Sequence, residues 1–197
     1  MQTVNIFWFR RDLRLNDNAG LYHALKAGLP VLPIFIFDKN ILNKLEDKAD
    51  RRVEFIHTAL VEMQTALVKT GSSLLIFHAT PEEAFNNLFE KYKVDKVFTN
   101  HDYDPYAIQR DRAVADFLSS TGSALQSFKD QVIFEKDEVL KDDGKPYTVF
   151  TPYSRKWKTT LKHFDLKLYP TEKYFHNFFK LPETRIHSLN SIGFKSN

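Results

Sequence analysis

Thr3-Val4-Asn5-Ile6-Phe7-Trp8-Phe9 runs straight into Arg10-Arg11-Asp12-Leu13-Arg14-Leu15-Asn16-Asp17-Asn18, and that junction decides the fold. The first stretch is rich in β-formers and alternates little, as a strand buried on both faces of a parallel sheet does. The charged loop ends on Asp17-Asn18, residues able to cap a helix over Ala19–Lys26 that Gly28 and Pro30 stop. A second apolar strand follows at Val31–Phe37. Strand, polar loop, helix, strand is the unit of a parallel sheet.

The rest of the chain repeats the unit. Asp38–Ala49 reads as a loop with a short helical piece at Ile41, Leu42 and Leu45, and Asp50–Thr70 as a long amphipathic helix. Its stripe is Val53, Ile56, Leu60, Met63 and Leu67, and Gly71 ends it. Leu74–His78 is strand three. Thr80-Pro81-Glu82-Glu83 starts a helix with proline at the first position and acids in the first turn, burying Ala84, Leu88, Phe89 and Tyr92. Lys96–Thr99 is strand four, Ala107–Ser119 a helix and Ala124–Phe128 strand five. The alternation predicts an α/β fold, a parallel sheet with right-handed helical crossovers. Beyond Phe128 the chain is irregular, with a turn at Asp142–Pro146 and a helix from Thr151-Pro152 to His163. From Leu168 onward no period stands out, and Phe175, Phe178 and Phe179 read as a connector expected to lie on a partner surface.

Composition narrows the class. The chain has 197 residues, 43% hydrophobic and 27% charged, as a globular protein has. No apolar run approaches the roughly 18 residues of a membrane span, and the N-terminus lacks the basic-then-apolar order of a signal peptide. With no cysteine, thiol catalysis, disulfides and zinc on sulfur are excluded, and a cytoplasmic protein is the expectation. Net charge is +3, but Arg155–Lys180 holds seven Lys/Arg against Asp165 and Glu172. Ten aromatics also fall between Tyr147 and Phe179. Such a segment could meet nucleic acid through phosphate contact and stacking, or pack on another domain with its lysines keeping the surface wet.

Several chemistries are absent from the motifs. The six glycines include no pair two apart, so neither GxGxxG nor a phosphate loop exists, and no GxSxG elbow is present. The seven histidines stand singly and offer no metal motif. The chain reads as a binding domain without its own catalytic constellation. A parallel sheet binds ligands at the carboxyl ends of its strands, where strand order reverses. Three loops belong there: Arg10–Asn18, the segment from Asp38 to the helix carrying Arg51 and Arg52, and Asn100–Tyr106. In the first loop an ion-paired arrangement is expected, with Asp12 between arginines and Asp17 or Asn18 capping the helix. In the third, Asp102 and Asp104 point the same way if the chain ahead of Pro105 is extended. Two acids and an arginine around an apolar crevice suit a planar polar heterocycle. An internal salt-bridge cluster is the other reading of the same residues.

The motifs resemble those of one family. Trp8-Phe9-Arg10-Arg11-Asp12-Leu13-Arg14-Leu15-Asn16-Asp17-Asn18 is similar to the opening signature WFRxDLRxxDN of DNA photolyases and cryptochromes. Asn100-x-Asp102-x-Asp104-Pro105-Tyr106 with Arg110-Asp111, and Tyr147-x-Val149-Phe150-Thr151-Pro152-Tyr153-x-x-x-Trp157, resemble two later motifs of the bacterial cyclobutane-dimer enzymes. The three matches cover about residues 3–160. The resemblance implies a three-layer Rossmann-like domain, its five-stranded parallel sheet in order 3-2-1-4-5 with helices on both faces. It divides the chain into an antenna-binding domain over 1–130, an extension with a helix over 131–165 and an interdomain connector over 166–197. In the family a helical domain binds FAD and the damaged DNA, and nothing in these residues corresponds to it. The parent protein would split pyrimidine dimers with light or signal as a cryptochrome. A free-standing nucleotide-binding module is a further alternative.

The resemblance also narrows the antenna. Folate-binding relatives carry Asn-Glu where Tyr106 and Ala107 stand, which weakens methenyltetrahydrofolate. Relatives with 8-hydroxy-deazaflavin or FMN carry acids at the positions of Asp102 and Asp104 and an arginine at Arg52, with Asp104 shorter than the usual Glu. They pack the ring against residues matched by Phe35, Ile36, Phe37, Asp38 and Ile41. A flavin-type antenna is therefore the expectation, with no metal and no membrane.

Overall fold

Each apolar run becomes a strand of one parallel sheet. The computed structural model describes residues 1–162, 166 and 168–196. The strands are β1 (Thr3–Phe9), β2 (Val31–Asp38), β3 (Leu75–Ala79), β4 (Lys93–Asn100) and β5 (Ala124–Phe128). The helices are α1 (Ala19–Leu25), α2 (Lys39–Leu42), α3 (Arg51–Lys69), α4 (Pro81–Lys91), α5 (Pro105–Ser120) and α6 (Phe150–Thr160). All four strand pairings are parallel and the order is β3-β2-β1-β4-β5. The expected order is the observed one.

Strand periodicity splits the core into two layers. Phe7, Phe9, Phe35 and Phe37 face α1 and α3, where Leu21, Leu25, Leu60 and Leu67 cover them. Ile6, Trp8, Ile34 and Ile36 face the opposite layer, closed by Ala84, Phe85, Leu88, Val114 and Leu118 of α4 and α5. Local chemistry fixes the helix starts. Asn18, Asp38, Asp50 and Asp104 each cap a helix through the side chain, and Thr80 with Glu83 forms a reciprocal capping box. Gly71 ends α3 at φ 76°, a left-handed conformation that glycine adopts without penalty.

The differences in extent have local causes. β4 begins at Lys93, three residues early, because Lys93 and Val94 pair with Thr3 and Val4 of β1; the polar Lys93, Asp95 and Lys96 hide this from the hydrophobic pattern. α5 begins at Pro105 because Asp104 caps it. α6 spans Phe150–Thr160, and His163, its expected end, lies outside the described residues. Phe85, absent from the expected buried face of α4, is wholly buried against Trp8 with ring centroids 5.3 Å apart.

The tail expected to lie on a partner packs in part on the α/β domain itself: Phe178 is buried there, and Phe175 and Phe179 are partly buried against it. Phe178 is 2% exposed within the α1/α3 layer, where its backbone bridges Val31 and Phe179 N–H donates to the Val31 carbonyl. Further along, Thr184 joins Gln64, Ser73 and Leu74 in a buried hydrogen-bond network, and Ile192 and Phe194 are buried. Unsatisfied polar groups at those positions would be costly, so the network fixes where the strap lies. α6, by contrast, buries none of its residues, and Phe150 is 77% exposed. Among the described residues no helix is long and apolar enough to cross a membrane. Phe178→Ala is expected to cost about 3–5 kcal/mol, the range for emptying a buried phenylalanine site, read as a lowered midpoint in urea unfolding.

Candidate functional site

Strand order creates the site. β2 and β4 flank β1, and the chain leaves β1 toward one face and β4 toward the other, the reversal at whose carboxyl ends parallel sheets bind ligands. The three loops singled out in the sequence meet at this edge.

A buried amide–carboxylate knot holds them. Asn100, the last residue of β4, donates from Nδ2 to Asp12 Oδ2 at 2.6 Å and to Asn18 Oδ1 at 2.9 Å. Its Oδ1 accepts the Gly20 N–H at 2.8 Å. Asn18 Nδ2 donates to Asp12 Oδ2 at 3.2 Å, and Asp12 Oδ1 accepts the Arg10 N–H at 2.9 Å. Asp12 therefore sits among amides and not between arginines, which corrects the expectation for this loop. Gly20 has a steric reason: a Cβ there would stand 2.6 Å from Asn100 Oδ1. The opening N–H groups of α1 are also taken, Ala19 by Asp130, Gly20 by Asn100 and Leu21 by Asn18. The turn that receives phosphate in dinucleotide-binding sheets is filled here by the chain's own oxygens.

Beside the knot, two guanidiniums crowd one indole. Arg10 and Arg110 lie 5.1 and 5.0 Å from the Trp8 ring centroid, cation–π distances. Arg10 bonds Asp111 at 2.5 Å and the Asn100 carbonyl, and Arg110 bonds Asp111 at 3.0 Å. Burial first, and Arg110 second, pull the Arg10 pKa down, with Asp111 opposing; an arginine remains charged regardless. Tyr106 extends the row, with Arg110 at 5.9 Å and the Lys44 ammonium at 5.5 Å from its ring centroid. Its hydroxyl donates to Asp38 Oδ2 at 2.5 Å, so a residue following β4 reaches the end of β2. Nearby, Glu135 Oε1 accepts from the Tyr103 hydroxyl and lies 2.6 Å from His101 Nδ1. Among the described residues no group of three or more His, Cys, Asp or Glu could hold a metal ion.

The residues expected to bind a ligand are placed as follows. Phe35 and Phe37 lie on the α1/α3 side of β2 and Ile36 on the other, so the three cannot share one wall. Asp38 caps α2 through the Asn40 N–H and holds Tyr106. Ile41 is 42% exposed on α2. Asp102 lies 3.3 Å from Arg11 and 3.9 Å from Arg110, and accepts the Asp104 N–H. Asp104 itself caps α5 through the Tyr106 N–H. The Arg52 side chain is 76% exposed and forks onto Asp50, whose pKa it lowers to about 2 through the side-chain bond first and the backbone N–H second. Asp102, Asp104, Tyr106 and Asp38 are thus joined into one row, while Arg52 bonds to Asp50 and to none of them. Lys44 was not singled out by sequence reasoning, and Arg11 and Arg110 entered it only as members of the quoted motifs, without a place in the expected site. Arg110 had a signal, since it stands one turn beyond Tyr106 on the same helix.

Two expectations follow from this geometry. Asp12→Ala strands amide donors of Asn18 and Asn100 in a dry place, at about 1–3 kcal/mol for each unsatisfied group, measurable by urea unfolding. Burial first, and the bond to Asp38 second, raise the Tyr106 pKa to about 12. The folded state therefore favours the neutral phenol: the contribution is complete below the unfolded value near 10 and lost as pH rises through about 12. In ultraviolet pH titration the wild type minus Tyr106→Phe difference should show one late-ionising phenol.

The sequence profile of the family described as DNA photolyase matches residues 5–173. The deoxyribodipyrimidine photo-lyase of Synechococcus sp. is 33% identical over 157 residues, 80% of this chain and 32% of that protein. The chain thus spans about a third of that relative. Among solved structures, a bacterial class III photolyase from Agrobacterium tumefaciens superposes with a TM-score of 0.77 at 26% identity, over 96% of this chain and 38% of that one. An archaeal photolyase from Sulfolobus tokodaii, solved with two FAD molecules, gives 0.67 at 31% identity, over 79% and 34% of the two chains. Profile, identity and superposition agree with the strand order: the chain belongs to the DNA photolyase family.

Proposed function

We propose that this chain is the light-harvesting domain of a deoxyribodipyrimidine photolyase and holds a flavin-type antenna, 8-hydroxy-deazaflavin or FMN, at the carboxyl edge of β1, β2 and β4. The observation that carries the reading is the balance of hydrogen-bonding groups there. Asp12, Asp38, Asp102 and Asp111 all accept bonds from protein donors already. Arg11, with its side chain 64% exposed, commits one N–H to Asp102, and Arg52 is more exposed still. Flavin-type rings present one N–H between two carbonyls and so ask for more donors than acceptors. A folate pterin presents two adjacent donors and asks for an open carboxylate. Phe35, Phe37 and Ile41 supply apolar contact, and Tyr106 a flat face. The flavin content of the Sulfolobus tokodaii relative supports a flavin-type occupant.

When bound, the chromophore absorbs near-ultraviolet or blue light and passes the excitation on. The residues here hold it rigid and oriented, and no bond chemistry falls to them. In the whole protein, FAD and the damaged DNA would be bound by a helical domain outside residues 1–197. Residues 1–130 and 131–165 form the antenna domain and its extension in this reading, and 166–197 lead toward that partner while strapped to the α/β face. The occupied N–H groups of α1 count against a free-standing module that binds nucleotide phosphate at that turn.

Absorption and fluorescence titration with 8-hydroxy-deazaflavin, FMN, methenyltetrahydrofolate and ATP tests the proposal. Saturable flavin-type binding is expected. Arg52→Ala and Asp102→Ala should each weaken it about tenfold or more, since a hydrogen bond to a charged group is worth roughly 1.5–3 kcal/mol. Circular dichroism checks that Asp102→Ala, which leaves the buried Arg110 with one partner fewer, remains folded. Parent-like affinity in both variants sinks the site assignment, and preferential folate binding sinks the choice of chromophore.

A further inference from the structure

Trp8 is the penultimate residue of β1, and its buried indole has both the Arg10 and the Arg110 guanidinium at cation–π distance. Two like charges beside one ring is a costly arrangement. Both side chains are themselves buried, at 7% and 8% exposure, and burial and the Arg110 charge work against the Arg10 cation. Sealing the ring does not require them. Phe85 packs on the same indole at 5.3 Å between ring centroids, and further apolar neighbours would exclude water without setting like charges side by side.

The chemistry of an indole supplies a reason for the pair. Indole is among the side chains that give up an electron most readily. A flavin-type ring excited by light is a strong one-electron oxidant, and an electron crosses several ångströms without contact between the groups. In such a loss the indole is oxidised and the ring reduced by one electron; the electron then returns and the excitation ends as heat. A positive charge against the indole opposes the first step, because the oxidised indole is a cation facing a like charge at close range. On their N–H groups the guanidiniums are compensated. Asp111 accepts from both, Asp102 lies 3.9 Å from Arg110, and the Asn100 carbonyl takes a further Arg10 N–H. A ring beyond the cluster meets compensated charge, so the cations hinder the donor more than they help the acceptor.

We propose that Arg10 and Arg110 form an electrostatic guard on Trp8, keeping its indole hard to oxidise so that an excited flavin-type antenna passes its energy on instead of taking an electron from β1. The inference rests on the antenna reading above. It gives the pair a role that needs no contact with the chromophore.

The test has a ligand-free arm and a loaded arm, both on the whole chain with folding checked by circular dichroism. In the first, Trp157→Phe leaves Trp8 as the single indole. Photogenerated tris-bipyridyl ruthenium(III) takes one electron from it, followed in flash photolysis through the absorption of the indole radical. Arg110→Gln should speed that oxidation about tenfold. Arg110→Lys, which keeps the charge, should stay near the parent rate, as should Arg112→Gln, which removes an exposed charge from the same helix. In the second arm the fluorescence lifetime of bound FMN is read. Arg110→Gln should shorten it about twofold or more, and adding Trp8→Phe should restore it. An unchanged oxidation rate in folded Arg110→Gln overturns the guard whether or not a ring binds. Faster oxidation with an unchanged FMN lifetime overturns its role toward the antenna. Failure of the wild type to bind FMN overturns the antenna reading and that role with it. If Arg110→Gln does not fold, Arg10→Gln carries both arms with the same outcomes.

Discussion

The carboxyl edge depends on one buried contact: the Asn100 side-chain amide reaching from the end of β4 to Asp12 and Asn18. Parallel strands meet through their backbones, but nothing in a backbone ladder sets how the loops beyond the strand ends lie. The knot does so by making each polar group the partner of another in a place without water, where an unmade bond costs more than a made one gains. It aligns the loop after β1, the start of α1 and the end of β4 in one step. Gly20 lets α1 come close enough to take part. Because the knot uses up the α1 N–H groups, it also removes the phosphate seat that this topology otherwise offers.

What could be read from the sequence followed how local each feature is. Ala124–Phe128 matched residue for residue, and Asn18, Asp50, Thr80 and Gly71 act as the caps and stops their types suggested. These are interactions over a few residues, and side-chain chemistry alone specifies them. The Asp12 environment was misread because a loop dense in arginine suggests ion pairs. Its real partners come from positions 18 and 100, the latter brought near by the parallel pairing of β1 with β4. The Tyr106–Asp38 bond spans 68 residues and was out of reach for the same reason. Asp104 and Arg52 were marked as site residues by their switch-point loops and by the resemblance, and in the structure their nearest bonds serve helix caps.

The basic, aromatic C-terminal stretch splits into a packed part and an exposed one. Residues 169–196 pack, with Phe178, Ile192 and Phe194 in the core and Thr171 bonded to the Leu15 carbonyl. α6 buries none of its residues and keeps Phe150 exposed. Packing and exposure therefore alternate within what composition treated as one segment. The strap contributes stability of the ordinary kind, apolar area removed from water at roughly 25 cal/mol per Å².

The two sides of the carboxyl edge are held by different means. The β4/α5 wall hangs from the knot and from Arg10 and Arg110 around Trp8. Those contacts are polar and directional, and they set orientation as well as distance. The α1/α3 wall is an apolar layer that the strap closes from outside through Phe178 and Ile192. Such a layer resists separation but specifies position less sharply, because dispersion and hydrophobic burial have little directionality. A bound ring would thus take its orientation from the arginine and tyrosine side and its desolvation from the phenylalanine side. An antenna needs both, since the efficiency of excitation transfer varies with the angle of the ring and contact with water lets excitation decay.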